Sequence, residues 1–196
     1  MPSAKQEYYI NLHTGLIENA RQAPCTHFDE REGDANGIVD ISLLVIHNIS
    51  LPPKEFGGPY IDQLFGGCLS PDDHPFFQEI AGIRVSSHLL IRRDGEVVQY
   101  VPLHKRAWHA GASSFDGREK CNDFSIGIEL EGADDIPYEE VQYQVLLKLT
   151  KLILRAYPDI TLQRIAGHSD IAPGRKTDPG PAFDWQHYRK LLNKNV

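Results

Sequence analysis

Cysteine is scarce in this chain, with Cys25, Cys68 and Cys121 the only three among 196 residues and no CxxC spacing between them. An odd, scattered set excludes a disulfide framework and a cysteine-based zinc site, and fits reduced thiols. Basic charge is in short supply too: 20 Lys and Arg against 27 Asp and Glu leave a formal charge of −7 and a pI near 5.7. A nucleic-acid-binding domain needs the opposite balance, so no nucleic-acid partner is expected. Apolar runs of the ~18 residues that a membrane helix requires do not occur. The N-terminal "MPSAKQEYYINLHTGLIENA" lacks even the shorter apolar core of a signal peptide, so the expectation is a cytoplasmic protein without membrane contact. Internal repeats and low-complexity segments are also missing.

What is present is ordinary for a soluble globular protein: 41% hydrophobic and 24% charged residues. A chain of this length buries about two-thirds of its unfolded surface in one domain without staples, so any metal serves chemistry and not folding. The first 40 residues hold a short helical pattern near Leu12 to Arg21 and then the polar run "HFDEREGDANG", which reads as an N-terminal helix and loop arm (1–40) packed on a main domain (41–196). "ISLLVIH", Ile41 to His47, is a nearly continuous branched apolar run, the pattern of a strand buried on both faces. The Pro- and Gly-rich stretch from Leu51 to about Gly82 predicts a long excursion with at most short helices.

Around Asp94-Gly95, the alternation in "VSSHLLIRRDGEVVQYV" predicts a β-hairpin. "DFSIGIELEG" predicts a strand with Ile126, Ile128 and Leu130 on one face and Ser125, Gly127, Glu129 and Glu131 on the other. Val141, Val145, Leu149, Leu152 and Ala156 recur at helical spacing, and a last helix is expected to begin at Asp184, whose side chain can cap its first turn. The fold class is α/β (or α+β): a single domain with a mixed sheet covered by helices and long loops at one edge.

Chemistry concentrates in "GHSDIAPGRKTDPGP", Gly167 to Pro181, where three prolines and three glycines define one backbone path. A loop fixed in this way can hold side chains in place. His47, at the end of its strand, with His168 and Asp178 would supply three protein ligands to a catalytic zinc and leave the fourth position open. Their spacing is irregular, and a capped histidine and an Asp-Pro turn explain the same residues. Lys176 is either a cation beside that metal or a solvated lysine. Glu129 and Glu131 share a face, and pattern alone does not choose between them. His88, inside a strand pattern, reads as structural.

Three blocks, "LLVIHNISLPPKEFGGPYIDQLF", "RVSSHLLIRRDGEVVQYVPLHKRAWHAGASSFDGREKCNDFSIGIELEG" and "GHSDIAPGRKTDPGPAFDW", resemble, in the same order, the AmpD type of N-acetylmuramoyl-L-alanine amidase. That zinc amidase family includes phage lysozyme-type amidases and peptidoglycan recognition proteins. The resemblance implies zinc held by His47, His168 and Asp178, Glu129 as the catalytic acid/base and Lys176 supporting the transition state. It further implies a zinc groove on one side of the sheet, with Asn48, Arg84, Trp108 and His109 binding substrate. The implied reaction is hydrolysis, during cytoplasmic cell-wall recycling, of the amide joining (1,6-anhydro)-N-acetylmuramic acid to L-alanine. A monomer acting on a small anhydromuropeptide is expected; the rival expectations are action on polymeric peptidoglycan and a non-catalytic muropeptide-binding module.

Overall fold

A computed structural model describes residues 6–33 and 36–194; residues 1–5, 34–35 and 195–196, which the expected arm and domain spans include, lie outside the described residues. Where a helix was expected from Leu12 to Arg21, the chain forms a hairpin of β1 (Tyr9–Asn11) and β2 (Leu16–Glu18). The Asn11 side chain accepts from the main-chain N–H groups of His13 and Thr14 (3.1 and 3.2 Å), a local turn that competes with helix formation. Burial agrees, because Ile17 is 1% exposed and Leu12 66% exposed, so the apolar residues do not form one helical stripe. Two further arm strands, β3 (Arg21–Gln22) and β4 (Phe28–Asp29), pair with segments beyond residue 90.

The main strands are β5 (Leu43–Ile49), β6 (Leu89–Ile91) and β7 (Val97–Gln99), the last two forming the antiparallel hairpin around Asp94-Gly95. After β8 (Arg106–Ala107), which pairs with β4, and the small ribbon β9 (Ser114–Phe115) and β10 (Arg118–Glu119), come β11 (Ser125–Glu131) and β12 (Ile165–Gly167). Six of these make one mixed sheet in the order β12-β5-β11-β6-β7-β3. β11 lies in its interior, parallel to both β5 and β6. All seven residues of β11 are buried, as interior parallel strands covered on both faces require.

Five helices complete the described chain: α1 (Tyr60–Gly66) and α2 (Pro75–Glu79) in the excursion, α3 (Glu140–Ala156), α4 (His168–Ile171) and α5 (Trp185–Asn193). Leu146, Leu149 and Ile153 of α3 pack with Ile126, Ile128 and Leu130 into the main core. Each such side chain contributes about 1.5–3 kcal/mol by leaving water. Gln142 pins α3 to the sheet by donating to the carbonyls of Ile91 and Glu131. The Asp184 carboxylate accepts from His187 N–H at 2.8 Å and starts α5 as expected. Among the described residues no helix is long and apolar enough to cross a membrane.

Because α3 covers the isoleucine face of β11, the alternate residues Ser125, Gly127, Glu129 and Glu131 face the opposite side. In the parallel register His47 stands directly opposite Glu129, so both side chains emerge on that side of the sheet.

Candidate active site

The last half of β5 delivers His47, the end of β12 runs into α4 to deliver His168, and the following loop brings back Lys176 and Asp178. His47 Nδ1, His168 Nδ1 and Asp178 Oδ2 converge, with separations of 3.0, 3.0 and 3.1 Å. Both imidazoles are buried, at 1% and 3% exposure. The loop is fastened at several points: Ser169 N–H donates to the Asp178 carbonyl (2.9 Å), and the Tyr138 hydroxyl donates to the Pro179 carbonyl (2.7 Å). At Gly180, where φ is +80°, a Cβ would lie 2.2 Å from Asp134 Cα, so only glycine permits this approach. The fixed path expected from the sequence thus rests on a hydrogen bond within the loop and on contacts with Tyr138 and Asp134 outside it.

The donor set suits a divalent metal. His168 Nε2 lies 3.0 Å from the Ala110 carbonyl, which can only accept, so in a ring that serves as a metal ligand the N–H sits there and a lone pair is left at Nδ1. That lone pair faces the Asp178 carboxylate oxygen at 3.1 Å, an arrangement that a shared cation relieves. Without a cation, protons on those nitrogens take its place: burial works to raise the Asp178 carboxyl, but donation from His168 and His47 holds it below the usual carboxylate range. Burial pushes His47 down to about 4 against the opposing pull of Asp178. Two nitrogens and one carboxylate oxygen form an accepted zinc set with room for a fourth ligand, and no other cluster of this kind occurs among the described residues.

The two carboxylates on the shared face of β11 have different surroundings. Glu131 is fully engaged: Oε1 accepts from Gly57 N–H (2.6 Å) and lies 3.4 Å from the Arg92 guanidinium, and Oε2 accepts from Arg93 N–H (3.1 Å). Glu129 is buried, yet its Oε2 has no protein partner. Burial, reinforced by the nearby Asp178 charge and opposed by Lys176, pushes the Glu129 carboxyl well above its ordinary range. A desolvated carboxyl with a free oxygen beside metal-donor atoms is equipped to exchange protons. Lys176 is exposed, with its charge felt at both His47 and Glu129.

Of the expected groove residues, Asn48 donates to Asp134 Oδ1 at 2.8 Å, and the Arg84 guanidinium sits 5.1 Å over the Trp108 ring, whose other stacking neighbour is His27. His109 departs from expectation. It is 8% exposed, and its ring nitrogens are engaged by His47 Nε2 (2.9 Å) and Ser125 Oγ (3.1 Å), so it stands behind His47 with neither nitrogen free for substrate. Burial, followed by the neighbouring His47 and His88, lowers its pKa well below the ordinary value. His88 is structural: its Nδ1 accepts from Gly127 N–H at 3.0 Å.

Sequence reasoning missed Arg175, whose guanidinium bonds the carbonyls of Ala110 and Ala112 (both 2.6 Å) and thereby holds the carbonyl that orients His168. It also missed Arg31, buried beneath the turn before β11, where it bonds the carbonyls of Asn122 (3.0 Å), Asp123 (3.1 Å) and Ser125 (2.7 Å). The only signal for either was a cation in a polar stretch.

Residues 38–181 match the family Amidase_2, N-acetylmuramoyl-L-alanine amidase. The chain is 58% identical over 185 residues to the 1,6-anhydro-N-acetylmuramyl-L-alanine amidase AmpD of Escherichia coli strain K12, covering 94% of this chain and 98% of that protein. A crystal structure of a selenomethionine AmpD derivative is similar at a TM-score of 0.86 and 57% identity, covering 91% of this chain and 97% of that one. AmpDh3 from Pseudomonas aeruginosa, in complex with anhydromuramic pentapeptide, is similar at a TM-score of 0.58 and 31% identity, covering 77% of this chain and 59% of that one. Sequence and fold agree along most of the chain, which therefore belongs to the N-acetylmuramoyl-L-alanine amidase family.

Proposed function

We propose that this protein is a zinc-dependent amidase that hydrolyses the amide between the lactyl group of 1,6-anhydro-N-acetylmuramic acid and L-alanine, acting as a monomer in cytoplasmic peptidoglycan recycling. The observation that carries the proposal is the convergence of three metal-donor atoms at 3.0–3.1 Å next to a buried carboxylate oxygen without a partner. The name of the E. coli relative and the anhydromuramic ligand of AmpDh3 supply the substrate class.

His47, His168 and Asp178 would hold the metal. Bound zinc lowers the pKa of a water from 15.7 to about 7 and polarises a carbonyl. Glu129, opposite His47 on the neighbouring strand, takes the proton of the attacking water and passes it to the departing alanine nitrogen. The carboxyl that has taken up the water's proton is then the acid that serves the departing nitrogen. Lys176 supplies a positive charge to the developing oxyanion. Arg84, Trp108 and Asn48 offer a cation, an aromatic face and a polar group for the sugar and its acidic peptide.

Purified protein mixed with anhydro-N-acetylmuramoyl tripeptide, with and without a zinc chelator, tests this by mass spectrometry. Free tripeptide that ceases to form with chelator is the expected result. No release by zinc-loaded, folded protein would favour a muropeptide-binding module, and release from intact sacculi alone would favour the polymeric substrate.

A further inference from the structure

The hydrogen bonds behind His47 have a direction that can be read from one fixed end. The Cys121 carbonyl only accepts, so Ser125 Oγ, 2.5 Å away, donates its single proton there. Ser125 then has only lone pairs for His109 Nε2 at 3.1 Å, and that nitrogen must carry the proton of its ring. A buried imidazole with no carboxylate against it is neutral and has one N–H, so His109 Nδ1 is an acceptor. The atom facing it at 2.9 Å, His47 Nε2, is therefore the donor. With its proton at Nε2, His47 turns a lone pair at Nδ1 towards His168 and Asp178. The reverse tautomer of His109 would oblige Ser125 to donate to Nε2 and leave two oxygen lone pairs facing each other at 2.5 Å in a dry site.

We propose that Ser125 and His109 are positioning residues that fix the tautomer and orientation of His47 for zinc binding, an inference that rests on the zinc amidase reading. The surroundings are built for this chain of bonds. Asn122 Oδ1 accepts from the main-chain N–H groups of His109 (3.1 Å) and Ala110 (2.7 Å), which fixes the segment that carries the ring. The ring itself presses on β11 at Gly127, where a Cβ would come within 2.6 Å of His109 Cγ. Ser125, His109 and His47 are 0%, 8% and 1% exposed, so water does not substitute for a missing member. Residues that orient a metal-bound histidine in this way typically change metal affinity by about 10- to 100-fold when removed.

The test compares Ser125→Thr with Ser125→Val, which have nearly the same shape and differ in the hydroxyl. Zinc affinity is read by competition with a chromophoric chelator, and histidine tautomers by nitrogen-15 NMR of the zinc-loaded wild type. The expected result is a Val variant that binds zinc about 10- to 100-fold more weakly than the Thr variant, with His109 protonated at Nε2 in the wild type. Equal affinities for Thr and Val, or a proton on His109 Nδ1, would overturn the proposal. If neither variant folds, the NMR tautomer decides alone. Wild-type protein that neither binds zinc nor cleaves anhydromuropeptide would remove the amidase reading and this inference together, whereas an active zinc enzyme with equal variants removes the inference only.

Discussion

Glu129 and Glu131 lie two residues apart on one face of β11, and their surroundings predict opposite consequences for the same substitution. In Glu131→Gln the amide keeps one oxygen and sets an NH2 group against one of two main-chain donors that the buried carboxylate now serves, Gly57 N–H at 2.6 Å or Arg93 N–H at 3.1 Å. At least one hydrogen bond to a charged acceptor is lost and a donor is left unsatisfied. With such bonds at about 1.5–3 kcal/mol, the variant should lose about 2–4 kcal/mol of folding stability while its zinc site remains assembled. Glu129→Gln removes no hydrogen bond at Oε2, which has none, and it abolishes an ionisation that burial opposes. It should fold at least as well as the wild type and lose about 10²- to 10⁴-fold in turnover, or roughly 3–5 kcal/mol of barrier lowering.

Urea denaturation and anhydromuropeptide turnover, measured on both variants, check the pair of effects. A stable, inactive Glu131→Gln beside an active Glu129→Gln would refute the assignment. The pH dependence has a definite sign as well. A carboxyl whose folded pKa is raised binds more protons in the folded than in the unfolded state between the two pKa values, so stability falls as pH rises through that window. Chelator-treated wild type should therefore lose stability above the unfolded carboxylate range, and Glu129→Gln should show a flatter profile.

Lys176→Ala should retain its zinc, measured by atomic absorption, and lose about 10²- to 10³-fold in turnover, since on the proposed reading this exposed cation supports the oxyanion and does not hold the metal. Normal turnover would remove that role. His47→Ala and Asp178→Ala should each purify with reduced zinc as well as activity; full occupancy in either would contradict the ligand set. Arg31→Met strips the bonds to the carbonyls of Asn122, Asp123 and Ser125 and should destabilise the fold by about 3–5 kcal/mol in urea, a loss below ~1 kcal/mol meaning that the arm is dispensable.

Local pattern carried the sheet and the long helices. The apolar run at Leu43–Ile46, the alternation through Ser125–Glu131, the Asp94-Gly95 turn and the Asp184 cap are each decided by residues close in sequence, and each appears where the pattern put it. The arm was misread because Asn11 turns the chain through a side-chain bond that a helical count ignores. Arg31 sits in a run that looks solvated, and its burial depends on carbonyls more than 90 positions away. The metal-donor cluster joins positions 121 and 131 residues apart, so spacing alone left it open until the resemblance singled it out. The choice between the two glutamates likewise rests on Gly57, Arg92 and Arg93, which the fold and not the strand pattern brings to Glu131.

The same arrangement addresses how a chain of formal charge −7 can receive an acidic peptide. Net charge describes the whole surface, while recognition depends on the few groups that line the site. His47 and His109 are kept neutral by burial, so they add no charge of either sign. On the proposed reading, a divalent ion and Lys176 then face the carboxylates of Asp178 and Glu129, which leaves one positive charge in excess. Arg84 on the Trp108 face adds a cation whose aromatic partner covers one side of it and leaves its outer face available. On that reading an anionic substrate meets a locally positive site on a protein whose overall charge is negative, because the few groups lining the site and not the whole surface set the field there.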